Sequence, residues 1–426
     1  MKRETGCIAF LFFLFSLYCV SGCSAPVESE TEKDKIVLNV LAGQSTSDAG
    51  VEDMIDEWME THFPDIALEW ECVDWGEQFN VQVQSRIAAG EVPDILIGKA
   101  QDVQNYAKNG NLGVISDDLA EKIQEEALAA VEVNGAVYGI PYTIWYQGVV
   151  YNKNIFRKYQ LSPPETMDDL EEIVKVLQKE EIVAFASHFQ ESWKAANMSM
   201  QYMMNEVFKD DPDWGDQFRQ GLAGFQTDER MRRSILNNQY ILEHSWDDAL
   251  QIDQFESDSR FTKGEAAMYL TGSWSMQFAS EYGNEFEFGI FPFPNEKGDA
   301  CLLQETNMTF MKSADTKYGK LVDEIFETIV TDENLSQEIL NFTQSLSAIK
   351  DFDKKSTNAL QDDIDYYEKN GRVIDVTTGN AQLIWPFQNS LGQQQQLWLK
   401  GEQTLDEVLQ YADEHREDSA YFLLEE

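Results

Sequence analysis

The fold of this chain is decided by the stretch Phe261-Thr262-Lys263-Gly264-Glu265-Ala266-Ala267-Met268-Tyr269-Leu270-Thr271-Gly272-Ser273-Trp274. Gly264 predicts the end of a helix, because glycine tolerates a left-handed backbone, and Ala266 to Leu270 predicts a strand. Gly272 and Ser273 then turn the chain into a new helix, with Trp274 in the turn. Ligands of open α/β sheets bind outside the carboxyl ends of the strands. Trp274 therefore predicts a ligand pocket, and the simpler alternative is that it only covers the strand end.

Length and composition indicate a large globular protein with an acidic surface. The chain has 426 residues, 43% hydrophobic and 12% aromatic, which is enough for two lobes with cores of their own. Its 76 Asp and Glu against 32 Lys and Arg give a net charge of −44. Nucleic-acid binding needs cationic side chains that neutralise phosphates, so no nucleic-acid partner is expected. Most of the carboxylates are expected to form a solvated surface.

The first residues have the pattern of an export signal. Lys2 and Arg3 precede the apolar segment Ile8 to Val20, which is too short to span a bilayer comfortably. The next residues, Val20-Ser21-Gly22-Cys23, resemble a bacterial lipobox. This resemblance implies that residues 1–22 are removed and that Cys23 carries the lipid; the alternative is an ordinary signal peptide with an incidental cysteine. Residues 23–35 would then be a flexible tether to the outer face of the cytoplasmic membrane.

Two cysteines, Cys72 and Cys301, lie downstream of the predicted anchor. They could form one disulfide in an exported protein. Cys72 alternates with Ile66, Leu68 and Trp70 in a strand pattern, however, which favours a buried free thiol.

The chain from Ile36 onwards alternates between strand and helix patterns. Strands are predicted at 36–41, 66–72 and 93–97, and helices at 51–62 and 77–89. This order predicts a parallel sheet with covering helices, and hence an α/β fold. Further along, the acidic, turn-rich run from Asp210 to Gly224 is predicted to be a surface excursion.

Two further motifs accompany the opening stretch and the lipobox. Gly135 to Lys153 contains Gly-x-x-Tyr-x-Ile-Pro followed by Tyr-Asn-Lys, and Gly401 to Leu409 begins a terminal helix. Together with Phe-x-x-Gly-Glu-Ala-Ala-Met-x-x-x-Gly-Ser-Trp, they resemble the extracellular sugar-binding lipoproteins of ABC importers, relatives of the maltose-binding protein. The resemblance covers nearly the whole chain after the predicted signal.

The resemblance implies an α/β, two-lobed, periplasmic-binding-protein-like fold of type II, with three interlobe crossings and a cleft between the lobes. The N-terminal lobe is expected to hold residues 36–145 plus 292–346, and the C-terminal lobe residues 146–291 plus 347–426. The expected function is capture of a carbohydrate, taken to be an oligosaccharide, and its delivery to ABC permease subunits by hinge closure. A monomer without cofactor or metal is expected. Trp145 stands where the maltose binder has an acidic residue, so specificity for malto-oligosaccharides is not carried over.

A sugar is bound by stacking its C–H face on an aromatic ring and by pairing its hydroxyls with planar polar side chains. Predicted loops after strands, and the crossings, supply this mixture. The candidate ligand-binding residues are Gln44, Ser45, Lys99, Gln101, Asp102, Tyr142, Trp145, Gln190, Glu191, Trp193, Trp274, Glu305, Trp385, Phe387 and Gln388.

A catalytic site is not predicted. The four histidines form no metal-binding or nucleophile motif, and a glycine-rich phosphate loop is absent. Two alternatives to a sugar-binding protein stay open. The same fold could bind a non-sugar solute, for example a cation held by aromatic side chains. The chain could also be an exported glycoside-degrading enzyme, since 76 acidic residues always offer some pair of carboxylates.

Overall fold

The computed structural model describes residues 35–44, 49–74, 77–350, 352, 359–376 and 383–419. The predicted signal segment 1–22, Cys23 with the tether up to residue 34, and Ser45 lie outside the described residues.

The strands, in chain order, are β1 Ile36–Gln44, β2 Ile66–Asp74, β3 Ile95–Gly98, β4 Glu132–Val133, β5 Ala136–Val137, β6 Ile140–Asn152, β7 Val183–Ala186, β8 Ala266–Gly272, β9 Phe288–Phe291, β10 Leu302–Lys312, β11 Leu346–Ser347 and β12 Val373–Asp375. The α-helices are α1 Val51–His62, α2 Glu77–Ala89, α3 Ala100–Lys108, α4 Asp117–Ala120, α5 Glu125–Leu128, α6 Lys153–Tyr159, α7 Met167–Lys179, α8 Ser192–Met203, α9 Trp214–Arg219, α10 Glu229–Glu243, α11 Gln254–Thr262, α12 Ser275–Tyr282, α13 Gly319–Thr331, α14 Glu333–Thr343, α15 Gln361–Lys369, α16 Trp385–Leu399 and α17 Leu405–Glu414.

One sheet runs through the molecule in the order β2-β1-β3-β10-β6-β8-β7. Its two ends are parallel: β1 pairs in parallel with β2 and β3, and β7 pairs in parallel with β8. The long strands β6 and β10 are antiparallel to each other and join the two ends. The predicted β-α-β-α-β unit is therefore confirmed, and the strands that connect the two halves are the two longest of those described.

The opening stretch folds as predicted. Gly264 has a φ of 79° after α11, β8 follows, and Trp274 is the N-cap residue of α12. Gly272 has a further role, because a Cβ there would lie 2.0 Å from the Trp274 ring. Any larger residue at this position would clash with the indole, so the close approach of the ring requires glycine.

Two predictions about local environment are wrong. Cys72 and Cys301 are not joined in a disulfide, but Cys72 is exposed rather than buried. The reason is that β2 is the edge strand of the sheet, so its end is not covered on every side. The run from Asp210 to Gly224 is not a surface excursion, because α9 places Trp214 and Phe218 in a buried cluster.

Candidate functional site

The centre of the sheet brings together residues that are far apart in sequence. The register of β6 and β10 sets Trp145 opposite Glu305, so that both side chains lie on the same face. Gln147, two residues further along β6, pairs with Gly272 at the end of β8. The end of the opening stretch is thereby fixed beside the long strands that connect the two halves of the sheet.

A chain of hydrogen bonds crosses this centre. Lys99 Nζ, just after β3, donates to Glu305 Oε1 at 2.6 Å, and Gln147 Nε2 donates to Glu305 Oε2 at 2.6 Å. Asn197 Nδ2, in α8, donates to Gln147 Oε1 at 3.0 Å, and Gln201 Nε2 donates to Asn197 Oδ1 at 3.1 Å. Polar groups from both ends of the sheet are therefore linked through β6 and β10.

Two tryptophans lie beside this chain of hydrogen bonds. The rings of Trp145 and Trp274 contact each other edge to face, with centroids 5.6 Å apart and an interplanar angle of 60°. Trp145 Nε1 also donates to the carbonyl of Thr343 at 3.2 Å. Only 5% of Trp145 and 8% of Trp274 is exposed. The two rings therefore form one aromatic unit and do not face each other across a ligand.

A third tryptophan approaches from α16. Trp385, the first residue of that helix, is half-buried, and its ring centroid lies 5.7 Å from Lys99 Nζ. Lys99 thus contacts Glu305 on the central strand and Trp385 on a helix near the other end of the chain. We name this cluster the junction site; it consists of Lys99, Trp145, Gln147, Asn197, Trp274, Glu305 and Trp385.

A second cluster surrounds the start of α8. His188 is fully buried, with Nδ1 3.1 Å from Glu191 Oε2 and its ring 5.2 Å from that of Trp193. Burial is the main cause that lowers the pKa of His188 to about 4. Burial alone would raise the pKa of Glu191, but bonding to His188 and to the Gln254 amide outweighs it and lowers this pKa to about 2. The imidazole is therefore neutral and the carboxylate charged at neutral pH.

The fully buried Lys194 lies next to this cluster. Its Nζ donates to the carbonyl of Leu270 at 2.5 Å and lies 4.6 Å from the centroid of the Tyr269 ring. Burial lowers the pKa of Lys194 to about 7 and raises that of the buried Asp258 to about 7. These groups anchor α8 to β8 and α11.

Acid is expected to destabilise the protein through His188. Above pH 6.5 the residue is neutral in both the folded and the unfolded chain, so it contributes no pH dependence. As the pH falls from 6.5 to about 4, the unfolded chain gains a proton that the folded chain excludes. The free energy of unfolding should fall over this range by up to about 3 kcal/mol from this residue. Denaturant titrations at pH 6.5 and at about pH 4 should show a smaller loss of unfolding free energy for His188→Gln than for the unmodified protein. An equal loss in both proteins would contradict the assignment.

Several predicted candidates lie elsewhere. Tyr142 is buried on the opposite face of β6, where its hydroxyl lies 2.7 Å from that of Ser336. Phe387 packs against Phe218 and Phe225 in the core, two positions along α16 from Trp385 and hence on a different face of the helix. Neither side chain is available to a ligand of the junction site.

Other candidates lie nearer the periphery. Gln388 is buried in the first turns of α16 and donates to the carbonyl of Leu383. Gln190 is exposed, and Gln44 donates to Glu52 Oε2 at 2.6 Å beside a cavity of about 30 Å³. Gln101 and Asp102 are in the first turn of α3 and not in a loop, and Asp102 is buried. An acidic residue in a first turn is favoured by the helix dipole, which explains the early start of α3.

Asn197 was missed as a candidate. It lies on α8, where Lys194, Ser199 and Gln201 are buried as well, so the sequence does not single out Asn197 among the polar residues of that helix. A larger cavity of about 560 Å³ opens between α12, β9 and α15. Asn284, Phe286, Phe288 and Gln344 are among its lining residues, but it contains none of the predicted candidates. The junction cluster, which holds several of them, is therefore the candidate site.

Two classes of feature are not found in the described part of the chain. Its histidine, cysteine, aspartate and glutamate side chains form no group of three or more that could hold a metal ion. Within the same residues, none of the helices has both the length and the apolar character needed to cross a membrane.

Known proteins resemble this chain in sequence and in structure. Residues 42–334 match the family model described as bacterial extracellular solute-binding protein. The multiple sugar-binding protein of Streptococcus mutans serotype c is 22% identical over 363 residues, which are 80% of this chain and 82% of that protein. A sugar transporter from Bacillus licheniformis in complex with stachyose has a TM-score of 0.77 at 15% identity, over 89% of this chain and 99% of that one.

A chitin oligosaccharide binding protein has a similar structure, with a TM-score of 0.75 at 20% identity over 91% of this chain and 99% of that one. These structures confirm the expected α/β, two-lobed fold of type II. Since the family model matches most of the length, the chain belongs to the bacterial extracellular solute-binding proteins.

Proposed function

We propose that this protein captures a neutral oligosaccharide at the junction site and delivers it to the permease subunits of an ABC importer. The observation that carries the proposal is the hydrogen-bonded chain from Lys99 through Glu305 and Gln147 to Asn197, with the Trp145–Trp274 pair beside it. Aromatic rings and planar polar groups are the two elements that sugar recognition requires. The multiple sugar-binding relative supports the same ligand class.

The lobes are proposed to divide within β6, at the end of β9 and within β11. Residues 36–145 plus 292–346 would form the N-terminal lobe, and residues 146–291 plus 347–426 the C-terminal lobe. Lys99 would then belong to one lobe, while Asn197 and Trp385 belong to the other. A ligand that contacts both lobes stabilises the closed arrangement over the open one, and this difference in contacts is sufficient to drive hinge closure.

Export and anchoring complete the proposal. The segment 1–22 would direct export, and lipid on Cys23 would hold the protein at the outer face of the membrane as a monomer. Multiple acyl chains bind a bilayer far more firmly than one. The proposed role requires neither catalysis nor a cofactor.

Calorimetric titration of the chain from residue 24 onwards tests the function. The panel should contain raffinose, stachyose, maltotriose and chitin tetramer as neutral sugars, with spermidine as a cationic solute. Saturable 1:1 binding of at least one sugar is expected. Binding of spermidine alone would overturn the proposal, and hydrolysis of a bound glycan would indicate an enzyme.

A further inference from the structure

Lys99 places its ammonium group near both a carboxylate and an aromatic ring. Its ammonium is 2.6 Å from the Glu305 carboxylate and 5.7 Å from the centroid of the Trp385 ring. A carboxylate together with an aromatic face is the usual combination that recognises organic cations. Both elements are already engaged by an ammonium that belongs to the chain itself.

The hydrogen bonds of Glu305 favour a neutral ligand over a cation. Both of its carboxylate oxygens are engaged, one by Lys99 and the other by Gln147. Asp102, near the start of α3, is buried and also has an interaction within the protein. Each carboxylate oxygen retains lone pairs that can accept a hydrogen bond from a neutral hydroxyl. An incoming cation would instead meet the positive charge of Lys99, in a pair of which only 19% and 9% of the side chains is exposed.

We infer that Lys99 is a specificity-determining residue, which acts as a built-in cation and excludes cationic solutes, including amino sugars, from the junction site. The inference rests on the proposed function, because it concerns which ligands that site accepts. It explains how a protein with a net charge of −44 selects neutral ligands, since the carboxylate at the site is already compensated. It also implies that a single substitution uncovers a cation site.

The Lys99→Met variant tests the inference, because methionine keeps an unbranched chain but lacks the charge. Calorimetry should compare chitin tetramer, which is neutral, with its fully deacetylated counterpart, which carries protonated amines, and with spermidine. Lys99→Met is expected to gain at least about tenfold in affinity for the deacetylated tetramer or spermidine relative to the unmodified protein. Lys99→Arg, which keeps the charge, should show no gain.

Two controls make the result specific. Lys312 lies on the same strand as Glu305 and forms a 2.6 Å ion pair with Asp323 of α13, so Lys312→Met removes a comparable lysine away from the site. The gain should be absent from Lys312→Met and from the double variant Lys99→Met/Glu305→Gln. No gain in Lys99→Met, or an equal gain in either control, would overturn the inference. Failure of the unmodified protein to bind any neutral sugar would instead count against the proposed function, whatever the variant does.

Discussion

Trp274→Ala is expected to weaken binding of a neutral oligosaccharide by about 1–3 kcal/mol, which is roughly a fivefold to 150-fold loss of affinity. The substitution removes half of the Trp145–Trp274 unit, whose rings are 5.6 Å apart. It also leaves Trp145 without the neighbour that holds its orientation. Calorimetric titration with the tightest-binding sugar of the panel measures the effect directly.

Trp58→Ala is the matched control. Trp58 has the same exposed fraction as Trp274, 8%, but it lies on α1 and donates to Asp332 Oδ2 at 2.8 Å, away from the junction site. Both variants should lose stability because each removes a buried indole. Only Trp274→Ala should lose affinity when both are measured well below their melting temperatures. Equal affinities in the two variants would show that the pocket has been misplaced.

Trp214→Ala is expected to lower the free energy of unfolding by about 3–5 kcal/mol. Only 1% of Trp214 is exposed, and its ring stacks on Phe218 with centroids 5.1 Å apart. Its Nε1 donates to Asp228 Oδ2 at 2.9 Å, so the substitution also removes a partner from a half-buried carboxylate. Guanidinium denaturation followed by circular dichroism gives the value.

Leu222→Ala provides the comparison for this second prediction. Leu222 follows the same helix but is 75% exposed, so its loss should change stability by no more than about 0.5 kcal/mol. Sugar affinity should be unchanged in both variants. A loss below about 1 kcal/mol in Trp214→Ala would mean that α9 is a surface segment after all, as predicted from the acidic run between Asp210 and Gly224.

Local signals in the sequence were sufficient for most elements of the fold. Gly264, with its positive φ, and Thr166, with its capping box, mark helix boundaries through interactions with residues a few positions away. Such short-range chemistry is visible in a linear sequence. The α/β alternation likewise depends only on the period of apolar residues.

The candidate site was less predictable because it depends on register and helix phase. Trp385 and Phe387 look equivalent in sequence, but the start of α16 at Trp385 directs one ring towards Lys99 and the other into the core. The pairing of Trp145 with Glu305 requires the register of β6 and β10, which are far apart in the sequence, at Ile140–Asn152 and Leu302–Lys312. No local pattern encodes either relationship.

The most direct test of the central claim is a crystal structure of the protein with the oligosaccharide that binds most tightly in calorimetry. The sugar is expected in contact with the Trp145–Trp274 unit, with hydroxyls hydrogen-bonded to Glu305 or Gln147 and with atoms of both proposed lobes within contact distance. A sugar bound elsewhere, for example in the cavity between α12, β9 and α15, would contradict the assignment of the junction site.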